Sequence, residues 1–583
     1  MKYSREEHSN FLEAELHAQT KEFKQKLDTS AKFLLQEKEE LFVAQFLTFK
    51  NGEMILKFST KRGLPRKGEY LYCFTVPKEL RNYRNWGEKT YGDLIKEKAN
   101  FTETYCVWQA PAKKEDGSID ESFYLAGFRG VDIEFANNIS GAKGMILLLG
   151  PNKPPFEYIA NLQKIVENNF SKNVTQILDQ DFQKSDRQPL LLDNKTDIPE
   201  FILSQLEKSN QLILIGPPGT GKTHQIAEIC NRLIEQKKSV LVTSLTNRAL
   251  IEIVEKPALK KLLNEGKIFK TNISADEQKQ FPKLQQIKEV VPLPKNIVLS
   301  TFYKASEQAT KSLKESVFDY VIVDEASQAF LAMFAAAKIL GKKNIWIGDT
   351  KQMPPIVILN EDKINRRNYG FLIEGLESLS NDKSIPKYQL TETFRLSERG
   401  AEYTGIFYKN TLKSKAEANL RLSFDEIPDD INKILHPKGG PTLIKTDLEV
   451  GNRKPSNAIE FTKKLVTHLL KVKENLHISI LSNYIITIKA LQKSIYGSLG
   501  NNKNLLIETI ARIQGLTTDI TVFVIPNSGY NHSLEKRLFN VATSRARRHT
   551  IIIADKDILK FHNMDNTVRK FLEKLDDEFS FYL

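Results

Sequence analysis

The segment Gly216-Pro217-Pro218-Gly219-Thr220-Gly221-Lys222-Thr223 constrains this chain more than any other, because it dictates a strand, a phosphate loop and a helix in that order. It fits the pattern G-x-x-x-x-G-K-[ST]. An apolar run, Leu212-Ile213-Leu214-Ile215, precedes it, and Ile226, Ile229 and Leu233 follow at helical spacing. Glycines in such a loop let backbone N–H groups point into a phosphate, while Lys222 reaches the terminal phosphates and the Thr223 hydroxyl can hold Mg²⁺. Further on, Val321-Ile322-Val323-Asp324-Glu325 reads as an apolar strand ending in two acids. Asp324 suits a metal, and Glu325 is placed to polarise an attacking water. A Gly-rich turn beside an unrelated acidic strand end would give the same strings, but seldom in this order and context. Together they imply nucleoside-triphosphate hydrolysis.

At 583 residues the chain has material for several cores. Its first fifty residues are heavily charged, and no apolar run nears the length of a membrane span, so neither a signal peptide nor a membrane partner is expected. The three cysteines, Cys73, Cys106 and Cys230, lack C-x-x-C spacing. That excludes a cysteine-rich zinc module or a disulfide framework and fits a reducing, cytoplasmic location. The net charge of +13 suits a polyanionic partner, most simply nucleic acid, although Lys-rich solvated faces would also produce it.

The pattern changes along the chain. Residues 1–40 mix charge with sparse apolar positions, as an exposed stalk helix would. Residues 41–150 hold short strand-like runs (Leu41 to Phe49, Met54 to Ser59, Tyr70 to Val76, Tyr105 to Gln109, Phe123 to Phe135, Met145 to Leu149), with Asn51-Gly52 as a hairpin signal. They predict a small β-barrel. Residues 151–198 read as a returning stalk helix and a polar linker. From 199 to 387 strands alternate with helices, as in a parallel α/β lobe, interrupted at about 255–294 by a Lys/Gln/Glu-rich stretch that reads as a helical insertion. A second α/β lobe is expected over 388–555, without a phosphate loop, and a helical tail over 556–583.

Within the lobes, Asp349 and Gln352 follow an apolar strand, Ile345-Trp346-Ile347, at the edge where ligands bind in open α/β sheets. Arg395 and Arg545 are assigned to the second lobe. An arginine delivered to a γ-phosphate from a separate lobe makes hydrolysis depend on closure. The order GPPGTGKT, LVTSLTNRAL, STF, VIVDEASQ, GDTKQMPP, TETFR, ARIQGLTTD and NVATSRAR resembles the motif series of superfamily 1 helicases. The closest resemblance is to the 1B branch that includes the nonsense-mediated-decay helicase, senataxin and the immunoglobulin-mu-binding helicase. It runs from Ile202 to Asp555. The resemblance implies two RecA-like lobes using ATP and Mg²⁺ to move on single-stranded DNA or RNA, 5′ to 3′, as a monomeric motor.

By the same resemblance, Gly216, Pro217, Pro218, Gly219, Thr220, Gly221, Lys222 and Thr223 bind the phosphates, with Thr223 and Asp324 toward the metal. Glu325 is the catalytic base, Gln352 senses the γ-phosphate, and Arg395 and Arg545 are arginine fingers. Phe394 replaces a family tyrosine that stacks on adenine. Thr246, Asn247, Thr301, Gln514 and Gly515 line or couple to the single-strand path. The family's adenine-reading glutamine is missing: Pro199 stands in its place, and Gln205 is the nearest candidate. Ser482 to Thr487 and Leu516 to Asp519 also depart from the family pattern. A motor is the reading these motifs favour, and an ATP-switched clamp that grips without unwinding is the alternative.

Overall fold

The computed structural model describes residues 4–76, 86–98, 100–114, 116–168, 172–179, 188–193, 195–311, 318–416, 428–472, 475–499, 504–513 and 515–583. An N-terminal helix, Arg5–Leu27, is closed by a capping box at Ser4 and Glu7. It ends at Leu27, short of the expected stalk length, and a π-turn at Leu34–Lys38 follows. One face of this helix is far from exposed. Phe11 and Leu12 are buried in one core with Tyr158, Leu162 and Phe330, and the Phe11 ring meets Phe330 edge-on at 5.5 Å. The Glu15 carboxylate accepts hydrogen bonds from the Ile358 and Leu359 N–H groups at 2.9 and 3.0 Å. Because its sparse apolar residues pack on the first lobe and on the returning helix Phe156–Glu167, this helix is fastened to the lobe rather than standing free.

Six strands, β1 (Phe42–Lys50), β2 (Glu53–Ser59), β3 (Tyr70–Thr75), β4 (Phe101–Lys113), β5 (Ile119–Arg129) and β6 (Ile146–Pro151), close in the order β1-β2-β5-β4-β3-β6. Asn51 and Gly52 turn β1 into β2 with φ of 52° and 80°, the two left-handed residues that a type I′ hairpin needs. β5 stops at Arg129, and Ile133–Ile139 is a helix capped by Asp132 instead of the expected strand to Phe135.

The first lobe is one sheet of nine strands. These are β7 (Leu190–Leu192), β8 (Gln211–Ile215), β9 (Val240–Ser244), β10 (Ile268–Lys270), β11 (Gln285–Gln286), β12 (Ile297–Thr301), β13 (Phe318–Val323), β14 (Gly341–Gly348) and β15 (Lys387–Leu390), in the order β11-β10-β12-β9-β13-β14-β8-β15-β7. Every neighbouring pair is parallel. Residues 212–215 of β8, 321–323 of β13 and 345–347 of β14 are buried on both faces and have no polar side to show, which is why they read as unbroken apolar runs.

Three expected boundaries move. Residues 255–294 are helical only in part, at Lys260–Asn264 and Ala275–Gln280, and are not a separate insertion, since β10 and β11 extend the sheet between and after those helices. The polar linker supplies β7, and β15 belongs to the first lobe. A ribbon of β16 (Glu392–Thr393) and β17 (Lys413–Ser414) follows. The second lobe is a parallel sheet of β18 (Gly440–Thr446), β19 (Ile478–Ser482), β20 (Leu505–Thr509), β21 (Thr518–Val524), β22 (Ala546–Asp555) and β23 (Ser580–Tyr582), ordered β20-β19-β21-β22-β18-β23. The C-terminal tail is therefore part of that lobe: helix Asn566–Glu578 packs on it and β23 forms its edge.

Candidate nucleotide site and strand cleft

β8 runs into the phosphate loop and then into the helix Lys222–Glu235. Gly219 and Gly221 have φ of 74° and 80°. A Cβ at Gly219 would lie 2.4 Å from Arg395 Cβ and 2.6 Å from Thr393 Oγ1, so glycine is required there for space as well as conformation. The Thr393 hydroxyl donates to Pro218 O at 2.9 Å, and Phe394 N–H donates to Gly219 O at 2.9 Å. Phe394 and Arg395 are thereby held against the phosphate loop, next to β15. Arg395 is thus a first-lobe group and not one delivered by the second lobe, because the strand before it pairs with β8.

Lys222 Nζ donates to Gly216 O at 2.5 Å, and burial lowers its pKa against the pull of Asp349 and Asp324. At the end of β13, Asp324 Oδ1 accepts from Glu325 N–H at 2.9 Å. Glu325 itself is left-handed, φ 50°, a costly conformation for a residue with a Cβ. Burial lifts the Asp324 carboxyl to about 6. Burial, then the neighbouring Asp324 and Glu252 charges, lift Glu325 to about 7. Asp349, 1% exposed, accepts from the Gln352 amide at 2.9 Å and from Tyr408 OH at 2.7 Å. Gln352 is therefore aimed by Asp349.

Arg545 arrives from the far lobe, on the turn after helix Lys536–Thr543. It is 2% exposed. Its Nε donates to Val541 O at 2.9 Å, its Nη1 reaches Leu516 O at 3.4 Å, and its Nη2 is buried with no partner among the described residues. Burial depresses its pKa to about 10. Arg395, again chiefly through burial and then through Arg545 and Arg547, falls to about 9. Arg548 pairs with Asp519 at 3.6 Å. Lys222, Arg395, Arg545 and Arg547 converge on a cavity of about 450 Å³ that also holds Thr223, Asp324, Glu325 and Gln352. For Mg²⁺ the fitting oxygens are the Thr223 hydroxyl and the Asp324 carboxylate, a sparse set suited to a cation that draws other ligands from substrate phosphates. Among the described residues no cluster of three or more His, Cys, Asp or Glu side chains offers another metal site.

A second cavity of about 270 Å³ opens beside the first and shares Thr220, His224 and Phe394 with it. Phe394 is 57% exposed there. Pro199 and Gln225 also line it, but Gln205 does not: its amide oxygen accepts from Tyr388 OH at 3.1 Å. Gln205 faces β15 across the helix, six positions after Pro199, which removes it from any base stacked on Phe394.

A third space of about 600 Å³ lies between the barrel and both lobes, lined by Tyr70, Tyr105, Thr246, Arg248, His477 and Arg512 among others. Asn247 lines an adjoining cavity that carries Tyr70, Tyr72, Phe101 and Tyr105 on the barrel side. Thr301 ends β12 opposite Ser244 and lines neither. Gly515 sits in the phosphate cavity, where a Cβ would be 3.7 Å from Glu325 Oε1. Gln514 lies outside the described residues. Sequence patterns gave no signal for Tyr408 or Gln225, whose places follow from packing, nor for the barrel rings, which read only as strand residues.

Residues 200–357 and 373–557 each match a family described as an AAA domain. The chain is 25% identical over 403 residues to the DNA replication ATP-dependent helicase/nuclease dna2 of Schizosaccharomyces pombe, covering 62% of this chain and 28% of that relative. It is 23% identical over 497 residues to the DNA polymerase alpha-associated DNA helicase A of Saccharomyces cerevisiae, covering 69% of each. Among solved structures, an arterivirus nonstructural protein 10 helicase aligns over 91% of this chain and 78% of its own at 12% identity, with a TM-score of 0.35. The chain spans 28% of the length of the dna2 relative.

Proposed function

We infer that this chain is a superfamily 1 helicase of the 1B branch, an ATP-driven motor that moves along single-stranded nucleic acid. The observation that carries this reading is the buried Arg545. A guanidinium taken out of water without a carboxylate costs free energy unless an anion arrives, and the space it faces is walled by a phosphate loop belonging to the other lobe. A triphosphate seated there is held by the first-lobe cations, and closure of the second lobe brings Arg545 to the charge that develops on its γ-phosphate. Closure and hydrolysis are then one event.

In this reading the loop N–H groups and Lys222 hold the β- and γ-phosphates, and bound Mg²⁺ would neutralise charge between them. Glu325 takes the proton of the attacking water, Gln352 positions that water or the γ-phosphate, and Arg395 and Arg545 stabilise charge in the transition state. The strand occupies the space between barrel and lobes, where Thr246 and Asn247 lie at the ends of first-lobe elements and Tyr70 and Tyr105 offer stacking faces. Both named relatives are DNA helicases, which supports single-stranded DNA as the first substrate to test, and the family resemblance supports 5′ to 3′ movement. ATPase assays with matched poly-dT and poly-U at fixed salt, beside strand displacement, test the reading. Strand-stimulated hydrolysis with displacement supports it. Hydrolysis that ignores both polymers overturns it, and stimulation without displacement marks the clamp.

A further inference from the structure

We propose that the outer face of the barrel carries a base-stacking subsite for single-stranded nucleic acid, built from Tyr72 and Phe101 and continuing the strand path beyond Tyr70 and Tyr105. The proposal rests on the reading of the space between barrel and lobes as the strand path, and adds a stretch of unpaired strand outside it. β3 and β4 pair with Tyr70 opposite Tyr105. Tyr70 and Tyr72 share the outer face of β3, because Leu71 and Cys73 alternate into the barrel core. The Tyr70 and Tyr105 ring centroids lie 5.0 Å apart, and those of Tyr72 and Phe101 lie 5.2 Å apart with planes at 25°. Tyr70 and Tyr105 border both the strand space and the adjoining cavity of about 580 Å³, whereas Tyr72 and Phe101 border the adjoining cavity alone. The rings therefore lead out of the strand space along two neighbouring strands.

Cross-strand aromatic pairs also stabilise a sheet, but these rings are left uncovered: Phe101 is 52% exposed and Tyr70 46%. Every base has a π-face that stacks on such a ring whatever the sequence. Residues two apart on a strand stand about 7 Å apart, so the two ring pairs take separate bases. The charges around the rings sort the parts of the strand. Glu103 stands opposite Tyr72 in the sheet, Asp132 caps the helix Ile133–Ile139, and Glu277 is already paired with Lys270 at 3.0 Å. An acidic wall turns phosphates away and leaves the base faces as the part it takes. Cations stand at the two ends of the row. Half-exposed Arg248 lines both cavities at the inner end. At the outer end Lys98 Nζ lies 4.2 Å from the Phe101 ring centroid and 5.0 Å from that of Tyr72. On its flexible stem, Lys98 is free to turn from the rings to a phosphate.

The test is equilibrium binding of fluorescein-labelled oligo-dT, from about 4 to 16 nucleotides long, to the full chain at fixed salt, comparing wild type with Phe101→Ala and Phe101→Trp. Wild-type affinity is expected to rise with length until the outer rings are covered. Phe101→Ala should lower affinity for the longest oligomer by about tenfold, the scale of one stacked base. The shortest oligomer that binds should be held as in wild type, which reports an intact fold. Phe101→Trp keeps an aromatic face and should keep wild-type affinity. A long oligomer made abasic at one end keeps its phosphates; at one of its two ends this should weaken wild-type binding by about tenfold and cost Phe101→Ala nothing further. An Ala variant that holds the long oligomer as wild type does, or that loses affinity equally at every length, overturns the proposal. So does weak long-oligomer binding by Phe101→Trp, or wild-type affinity that is unchanged by abasic sites at either end. Binding is read without ATP, so failure of the motor reading would appear separately, as length-dependent binding without strand-stimulated turnover.

Discussion

Arg545 shows how much one side chain's surroundings decide about its role. An arginine seen in a sequence is most often a surface ion pair, yet this one is buried and carbonyl-bound, with no ion pair among the described residues although the Asp349 and Glu325 charges reach it. Replacing it with alanine should lower strand-stimulated turnover by about 10³-fold while nucleotide affinity changes little, because its charge acts when the lobes close on the transition state. Steady-state kinetics paired with nucleotide binding checks this; a rise in KM at constant kcat would point to a ground-state contact instead. Arg547 is exposed and lines the same cavity, so Arg547→Ala run in parallel decides which of the two carries the larger effect. Glu325→Gln keeps the shape of the base without its basicity. It should bind nucleotide and strand but turn over slowly, and near-normal turnover would remove Glu325 from that role. Lys222→Ala should abolish hydrolysis in the same assay.

Between elements, the lobes are joined behind the phosphates by a short polar chain. Asn540 Nδ2 donates to Tyr408 OH at 2.9 Å and reaches Lys351 O at 2.8 Å, and Tyr408 in turn donates to Asp349. Arg537 pairs with Glu374 at 2.6 Å across the same boundary. Tyr408→Phe strips Asp349 of one donor and Asn540 of one acceptor in a buried setting, which should cost about 1–3 kcal/mol of stability. It should also weaken the response of ATPase to added strand more than the basal rate. Denaturant unfolding and strand titration measure the two effects, and an unaltered strand response would show that this chain of bonds does not couple the lobes. The barrel is clasped to both lobes as well: Gly130 N–H donates to Asp276 on the first, and Lys67 Nζ donates to Leu505 O on the second, beside Arg66–Glu508 and Arg512–Glu69 contacts at 3.7 Å.

Across the whole molecule, the residues proposed to handle phosphate run from Gly216 onward, whereas the barrel contributes only walls to the space between it and the lobes. Removing residues 41–150 should therefore leave basal ATPase largely intact and weaken strand engagement. Loss of basal activity in a folded deletion would refute this division of labour. Stability should also depend on pH through two distant histidines. His8 and His549 are both pushed to about 3, chiefly by burial, with Arg5 adding at His8 and Arg548 at His549. They stay neutral when folded but take up protons when unfolded below about 6.5. The unfolded state then binds more protons, so stability falls as pH drops from about 6.5 toward 3. Unfolding curves over that range should show the decline, and His549→Gln should flatten it.

The two α/β lobes were legible in the sequence because the patterns that specify them are local. A phosphate loop needs its glycines and lysine contiguous, and parallel strands buried on both faces must be apolar throughout. Gly216 to Thr223, Asp324-Glu325 and the strands on either side could be placed without coordinates for that reason. What crosses between elements could not. Arg395 reads like a second-lobe residue until β15 is seen paired with β8. Residues 255–294 read as helical until short strands with no periodicity of their own join the sheet edge, and the stalk reads as exposed until Phe11 meets Phe330. Gln205 and Gln225 are alike as letters. Only packing turns one toward Tyr388 and sets the other on the wall of the cavity beside Phe394. Sequence determined which groups the chain has for phosphate chemistry; tertiary structure decided which of them meet, because a side chain's partners are set by contacts distant in the chain.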